Sequence, residues 1–330
     1  MDKPNFNHLG IVVIGRNEGE RLRRCLESVI NSGATIVYVD SGSSDGSIEL
    51  AKNLGVGAIA LDDSKPFSAA RARNEGVEYL VSLDQGIEFV QFIDGDCELF
   101  PRWLELGINY LMDNDETVIV CGYLHERYPE ASIYNRFCDL EWDTYVGDLH
   151  SCGGIFMVRL NAFSAVGGFN GAVIAGEEPE LCKRLRANGG KVVRVAVDMA
   201  YHDSAMLHFS QWWKRGVRNG YGGMEILFKY KVGGSIKSAL SIGIWGGLLP
   251  ASIIASWLLS SGWILLVNLI YPLKAFQIAR RMSHLAEKRA GDPWIYSLSC
   301  MTGKFPEAFG QIKYFISALL KKPSGVISHK

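Results

Sequence analysis

An α/β fold is what this sequence predicts: a mostly parallel sheet covered by helices, followed by a C-terminal helical, membrane-associated region. Three observations predict it. Short β-branched runs alternate with helix-period stretches through the first half. Several of those runs close on a polar cluster. The whole stretch between Lys237 and Lys274 lacks Asp, Glu, Lys, Arg and His.

The elements follow in order. Residues 11–14 form the first strand, and Leu22, Leu26, Val29 and Ile30 then share one helical face. Residues 36–39 are the next strand, ending at Asp40, and a helix over about 47–54 leads to a strand at 58–61. A helix over roughly 68–81 precedes the apolar strand 87–93, which closes on Asp94-Gly95-Asp96. After Pro101 a helix carries Trp103, Leu104, Ile108 and Leu111, and 118–120 is a fifth strand. Strand and helix in strict turn mark a parallel sheet covered on both faces. Ligands in such folds sit beyond the carboxyl ends of the strands. That rim would hold Arg16-Asn17-Glu18, Asp40-Ser41-Gly42-Ser43 and Asp94-Gly95-Asp96.

Composition narrows the function. The 330 residues are 48% hydrophobic and 21% charged, enough for one large domain or a domain with an appendage. A net charge of -1 lacks the basic footprint of a nucleic-acid binder, so no nucleic-acid partner is expected. Seven dispersed cysteines without a Cys-x-x-Cys pair read as reduced thiols of a cytosolic compartment. Residues 1–10 hold no apolar run that would serve as a signal peptide.

Each polar cluster has a plainer reading. Asn17 and Glu18 could cap a helix; the segment from Asp40 to Gly46 and Asp94-Gly95-Asp96 could be ordinary turns. A dinucleotide site would need Gly-x-Gly-x-x-Gly after the first strand, and Gly15-Arg16-Asn17-Glu18-Gly19 does not fit. Two carboxylates one residue apart at a strand end can reach one hard cation, which can hold a diphosphate.

In combination the motifs resemble the family 2 glycosyltransferases. They are Ile14-Gly15-Arg16-Asn17-Glu18, the run from Val39 to Gly46, Ala70-Arg71-Ala72-Arg73-Asn74, Asp94-Gly95-Asp96, Gly153-Gly154, Val166-Gly167-Gly168-Phe169, and Gly176-Glu177-Glu178-Pro179-Glu180-Leu181 with Arg184. The resemblance covers about residues 9–225. It implies a nucleotide-sugar-binding GT-A fold and an inverting transfer. Glu18 and Asp40 would lie near the base and ribose, with Arg16 and Asn17 on the same rim. Arg73 and Asn74 would approach the nucleotide or its phosphates. Asp94 and Asp96 would hold Mg²⁺ or Mn²⁺ against the diphosphate, beside Gly95. Gly153 and Gly154 would let backbone approach the donor sugar. The family's catalytic base is the second acidic residue of Gly-Glu-Asp; here Glu178 stands in that place, with Glu177 as the alternative.

Those residue types suit the chemistry. One carboxylate can take the proton from an attacking hydroxyl. A metal held by two others can stabilise charge on the departing diphosphate. Pro179 suits the first turn of a helix, so the glutamate pair would sit at a helix N-terminus, where dipole compensation is the bland alternative. His202, after a strand-like run at 192–197, is a third candidate metal neighbour by resemblance; His150 and His208 are weaker.

Gln211-Trp212-Trp213-Lys214-Arg215-Gly216 resembles the Gln-x-x-Arg-Trp signature of processive synthases but departs from it, which favours transfer of a single sugar. Trp212, Trp213, Arg215 and Arg218 suit a membrane interface or an acceptor site; a buried aromatic patch is the alternative. The uncharged stretch is too long for one bilayer crossing of about 20 residues. It reads as a hairpin of helices over about 239–259 and 263–279, turning at Ser260-Ser261-Gly262. Basic flanks on both sides put both ends in the cytoplasm; a soluble helical hairpin or a re-entrant one are the alternatives. An amphipathic helix is expected over about 293–320, on the membrane or packed back on the catalytic domain.

The expected division is a catalytic domain at 1–225 and a membrane-associated region at 226–330. The expected function is sugar transfer from a nucleotide diphosphate donor to a glycan or lipid-linked acceptor at the cytoplasmic face of the cell membrane. A non-catalytic, membrane-anchored nucleotide-sugar-binding protein is the rival class. Nucleotidyl transfer is a second rival, but it would need a basic Gly-rich loop after the first strand, where only Arg16 is available.

Overall fold

The computed structural model describes residues 6–142, 145–173, 175–230, 236–258, 269–286 and 292–320. The chain divides into two compact units, Met1–Tyr128 with Trp142–Ser204, and Pro129–Glu141 with Ala205–Lys330. They divide elsewhere than at the expected 225/226.

The first unit runs β1 (Leu9–Gly15), α1 (Glu20–Val29), β2 (Thr35–Asp40), α2 (Ser47–Asn53), β3 (Gly57–Ala60), α3 (Ala69–Ser82), β4 (Phe89–Asp94), β5 (Cys97–Leu99), α4 (Trp103–Asp113) and β6 (Thr117–Glu126). Helix α5 (Ile133–Trp142) lies in the second unit up to Glu141. The first unit resumes with β7 (Gly147–Asp148), β8 (Phe156–Arg159), α6 (Leu160–Ala165), α7 (Glu177–Ala187) and β9 (Lys191–His202). The sheet order is β3-β2-β1-β4-β8-β6-β9-β5, with β7 paired to β9.

The α/β class is as the sequence predicts, and the parallel run is confined to β3-β2-β1-β4. Beyond it β8 lies antiparallel to β4 and β6, β9 parallel to β6, and β5 antiparallel to β9. Strand β1 reads as a continuous apolar run because it is covered on both faces: Leu9, Ile11, Val12 and Val13 are fully buried. Helix α3 packs so closely on it that a Cβ on Gly76 would overlap Val12. Register makes the functional rim. Gly15 pairs with Asp40 and Ile14 with Asp94, so β1, β2 and β4 end level with one another.

The second unit is helical: α8 (Phe209–Phe228), α9 (Ile236–Leu258, with a π turn at Ile244–Leu248), α10 (Ile270–Ala286), α11 (Pro293–Thr302) and α12 (Lys304–Leu319). Glycines let α8 and α12 touch backbone to backbone: a Cβ on Gly220 would overlap the Glu307 carbonyl, and one on Gly310 the Val217 carbonyl. The single amphipathic helix expected over 293–320 is two helices that meet at Gly303. Pro306 has no N–H to return to Thr302, so a fresh helix start accommodates it in its first turn.

Among the described residues one helix is long and apolar enough to cross a membrane. It is α9, with 23 residues and a mean hydropathy of 1.6. The turn expected at residues 260–262 lies outside the described residues. The helix after it, α10, begins at Ile270 and carries Lys274, Arg280 and Arg281.

Trp212, expected at a membrane interface or acceptor site, is instead buried within this unit, and Arg215 is half-buried. Trp212 is buried among Tyr134, Phe137 and Phe209, with ring centroids 5.7–6.2 Å away. Arg215 is paired with Glu141 at 2.8 Å. The physical reason is α5, whose aromatic and acidic side chains meet that face of α8. Trp213 contacts Phe209 and Phe309, and Arg218 lies further along α8.

Candidate active site

Every rim residue lies in the first unit. Loop 15–19 and loop 40–46 are tied together: Asn17 N–H donates to Ser43 Oγ at 2.8 Å, Asn17 Oδ1 accepts from Ser44 N–H at 2.8 Å, and Gly19 N–H donates to Asp45 at 3.0 Å. Asn17 adopts a positive φ of 55°, which asparagine tolerates better than most residues. Glu18 pairs with Arg21 at 2.6 Å, and the Arg16 guanidinium lies 5.8 Å over Phe67. Asp40 is buried by the loop it shapes: Oδ1 accepts from Tyr38 at 2.7 Å, and Oδ2 from Gly42 and Ser43 N–H at 2.9 and 2.7 Å. Its hydrogen bonds therefore shape the turn at the end of β2.

Arg73 joins the two acidic motifs. From α3 it donates through Nη2 to Asp94 at 2.9 Å and through Nη1 to Glu177 at 2.8 Å. Its side chain is 3% exposed, against 33% for Asp94 and 16% for Glu177, so the carboxylates meet solvent and the guanidinium supports them from behind. The Phe169 ring lies 5.5 Å from it. Gly154 makes room, since a Cβ there would stand 2.8 Å from Arg73 Nη2 and 3.3 Å from Asp94 Oδ2. Gly153 has φ +92°, a conformation that favours glycine. Asn74 faces elsewhere: its amide donates to the Phe169 carbonyl at 2.8 Å and accepts from Phe169 N–H at 2.9 Å, clamping the Gly167-Gly168 turn. Arg184 holds the same turn, donating to the Val166 carbonyl at 2.6 Å while pairing with Glu180.

The adjacent glutamates at the start of α7 have different surroundings. Glu177 is ion-paired to Arg73. Glu178 is 5% exposed, and its Oε1 accepts from Cys152 N–H at 2.6 Å, Cys182 Sγ at 2.9 Å and Cys152 Sγ at 3.3 Å. Burial raises its pKa above the ordinary carboxylate range, and the hydrogen bonds from Cys182 and Cys152 pull it part of the way back.

On the other side of Asp94, Asp96 Oδ1 lies 3.5 Å from His202 Nε2. Pairing of β5 with β9 sets Cys97 opposite His202, which brings that ring to Asp96. Asp94 is also pushed upward, first by burial; Arg73 opposes this and the Asp96 charge adds to it. Among the described residues His202 Nδ1 is buried without a hydrogen-bond partner. Asp96, His202 and the buried Cys97 offer ligand atoms within 4.8 Å of one another, and the carboxylate and imidazole of that set fit a Mg²⁺- or Mn²⁺-class cation, with Asp94 two residues before Asp96. Trp142 meets the His202 ring edge-on at 4.7 Å.

Sequence reasoning missed the thiols around Glu178 altogether. Cys152 and Cys182 are 30 residues apart, and only the four-residue step from Glu178 to Cys182 was available as a signal.

Residues 10–159 match the Glycosyl transferase family 2 profile. Glycosyltransferase AglE of Haloferax volcanii is 24% identical over 258 residues, covering 73% of this chain and 81% of that protein. The Escherichia coli protein named Uncharacterized glycosyltransferase YibD is 29% identical over 121 residues, covering 35% of this chain and 34% of that protein. Among solved structures, the mannosyltransferase PcManGT from Pyrobaculum calidifontis, in complex with GDP-Man and Mn²⁺, shares the fold. Its TM-score is 0.62 at 13% identity, covering 96% of this chain and 88% of that chain.

Proposed function

We propose that the chain belongs to glycosyl transferase family 2, whose profile residues 10–159 match, and that it moves a single sugar, with inversion, from a nucleotide-diphosphate sugar to an acceptor hydroxyl. One observation supports this reading most strongly: the Arg73 guanidinium spans from Asp94 of β4 to Glu177 of α7, so the two acidic motifs adjoin. The nucleotide end of the donor would lie along Arg16, Asn17, Glu18 and the loop built on Asp40. The sugar would lie beside Gly153 and Gly154.

Asp94, Asp96 and His202 would hold the divalent cation, whose chemistry is to stabilise negative charge on the diphosphate leaving group. Arg73 keeps Asp94 and Glu177 at fixed spacing, which orients whatever those carboxylates grip. Glu178 is the general base. It takes the proton of the acceptor hydroxyl as that oxygen bonds to the anomeric carbon and the bond to the diphosphate breaks. Two neighbouring carboxylates with divergent environments support the division of labour: Glu177 is held by a cation, and Glu178 has a proton affinity raised by burial.

The acceptor we propose is lipid-linked, at the cytoplasmic face of the membrane, with the functional boundary near residue 225. Helix α9 supports this, as do the exposed apolar side chains Leu248, Ile254 and Trp257, which would be costly to leave in water. So do the basic flanks Lys229 and Lys237 before the apolar stretch and Arg280 and Arg281 after it.

The test is a thermal-shift screen of nucleotide sugars with Mn²⁺ or Mg²⁺, GDP-mannose first given the structural neighbour, followed by transfer assays. Glu178→Gln should abolish transfer and leave donor binding intact; full turnover in it would move the base to Glu177. Asp96→Ala should lose metal-dependent transfer, and full retention would refute the cation site. Donor binding without transfer or hydrolysis in the wild-type protein would favour the binding-protein alternative.

A further inference from the structure

Glu178 is enclosed by side chains that the proposed reaction does not yet use. Cys182 follows it by one helical turn on α7, which puts both on one face, and its thiol reaches Oε1 at 2.9 Å. Cys152, in the segment leading into β8, reaches the same oxygen with its N–H at 2.6 Å and its thiol at 3.3 Å. The two sulfurs are 3.9 Å apart. Cys121 on β6 lies within electrostatic reach of Cys182 and Glu178, and its register partner on β9 is Arg194. Cys152, Cys182, Cys121 and Arg194 are therefore the titratable and charged groups gathered around Glu178, and the neighbouring Glu177 is turned to Arg73. The three thiols and Glu178 are all buried.

We propose that Cys182 and Cys152 are positioning residues for the general base: their thiols, with the Cys152 N–H, hold Glu178 by Oε1 and set how readily it takes a proton. This rests on the reading of Glu178 as base. Donors to the charged form of a carboxylate lower its proton affinity, whereas burial raises it. A thiol is a weak donor, so it offsets burial only in part. The carboxylate is kept from being permanently protonated and remains more basic than a solvated one, which suits proton abstraction near neutrality. Collecting all three donors on Oε1 also fixes the rotation of the group.

The test compares Cys182→Ala and Cys182→Ser with wild type, with Cys152→Ala as a second variant should the first fail to fold. Loss of a donor raises the proton affinity of Glu178, so activity that depends on its ionised form is lost at higher pH than before. The acid limb of the kcat profile should move up by about half to one pH unit in Cys182→Ala, which is roughly a 3–10-fold loss of kcat on that limb. Donor KM should be unchanged, and Cys182→Ser, with a stronger donor, should return the limb to wild type or below. Difference infrared spectroscopy of the Glu178 carboxyl band, identified by its absence in Glu178→Gln, should titrate in the same direction without reference to activity. If that titration moves and the kcat limb does not, the positioning role stands and the base assignment fails. If neither moves, or only thermal stability falls, the positioning proposal is overturned. One tightly bound thiophilic metal ion per purified chain, absent from Cys182→Ala, would also overturn it, because the thiols would then be ligands.

Discussion

Replacing Arg73 with methionine removes the charge that joins two acidic motifs while nearly preserving volume. Arg73 is almost completely buried and pairs with Asp94 at 2.9 Å and Glu177 at 2.8 Å. Deleting one partner of a buried ion pair costs about 3–5 kcal/mol. Here a third of the Asp94 side chain and a sixth of Glu177 still meet water (33% and 16%), which screens the stranded carboxylates. The discounted cost is roughly 2–4 kcal/mol. At ~2–4 °C per kcal/mol for a unit of this size, Tm should fall by about 4–16 °C.

The sign of the pH dependence follows from Asp94. Burial already raises its pKa and Arg73 restrains it; without Arg73 it rises further. The folded variant then binds more protons than the unfolded chain, so its stability is greatest at low pH and falls as pH rises through the raised pKa. Scanning calorimetry of both proteins between about pH 4.5 and 7.5 should show the deficit widening as pH increases. A Tm change below about 2 °C, or a deficit independent of pH, would refute the account of Arg73 as the charge that holds the acidic motifs together.

Other outcomes follow from the same geometry. Gly154→Ala should push Arg73 away from Asp94, lowering stability by about 1–3 kcal/mol and weakening donor binding; an unchanged Tm in calorimetry would mean the guanidinium gives way freely. Asn74→Ala should cost about 1–3 kcal/mol by leaving the Phe169 backbone groups without partners, and donor affinity by titration calorimetry should fall far less than in Arg73→Met. Lysines in place of the exposed Leu248 and Ile254 should reduce co-flotation with lipid vesicles while leaving donor binding unchanged; undiminished flotation would remove α9 as the membrane contact.

Local pattern accounts for what was legible beforehand. The parallel run from β1 to β4 could be read because each strand is an apolar run bounded by turn residues. The level ends of β1, β2 and β4 then followed from fold class alone. The break between α11 and α12 was missed because the apolar spacing continues across Gly303 while the hydrogen bonding does not. The burial of Trp212 was not legible because an aromatic–basic segment has the same composition whether it meets lipid or, as here, meets α5.

The sequence by itself determined the strand–helix alternation, the polar residues at the strand ends and the apolar C-terminal stretch, because periodicity and composition are properties of neighbours along the chain. Only the tertiary structure decided that Arg73 reaches Glu177 across 104 residues. It likewise decided that Asp40 is bonded into its own loop and Asn74 to the backbone of Phe169, and that the glutamate pair divides between an ion pair and a pocket of thiols. Those outcomes depend on strand order and burial, which set distance and dielectric between groups that the chain keeps far apart.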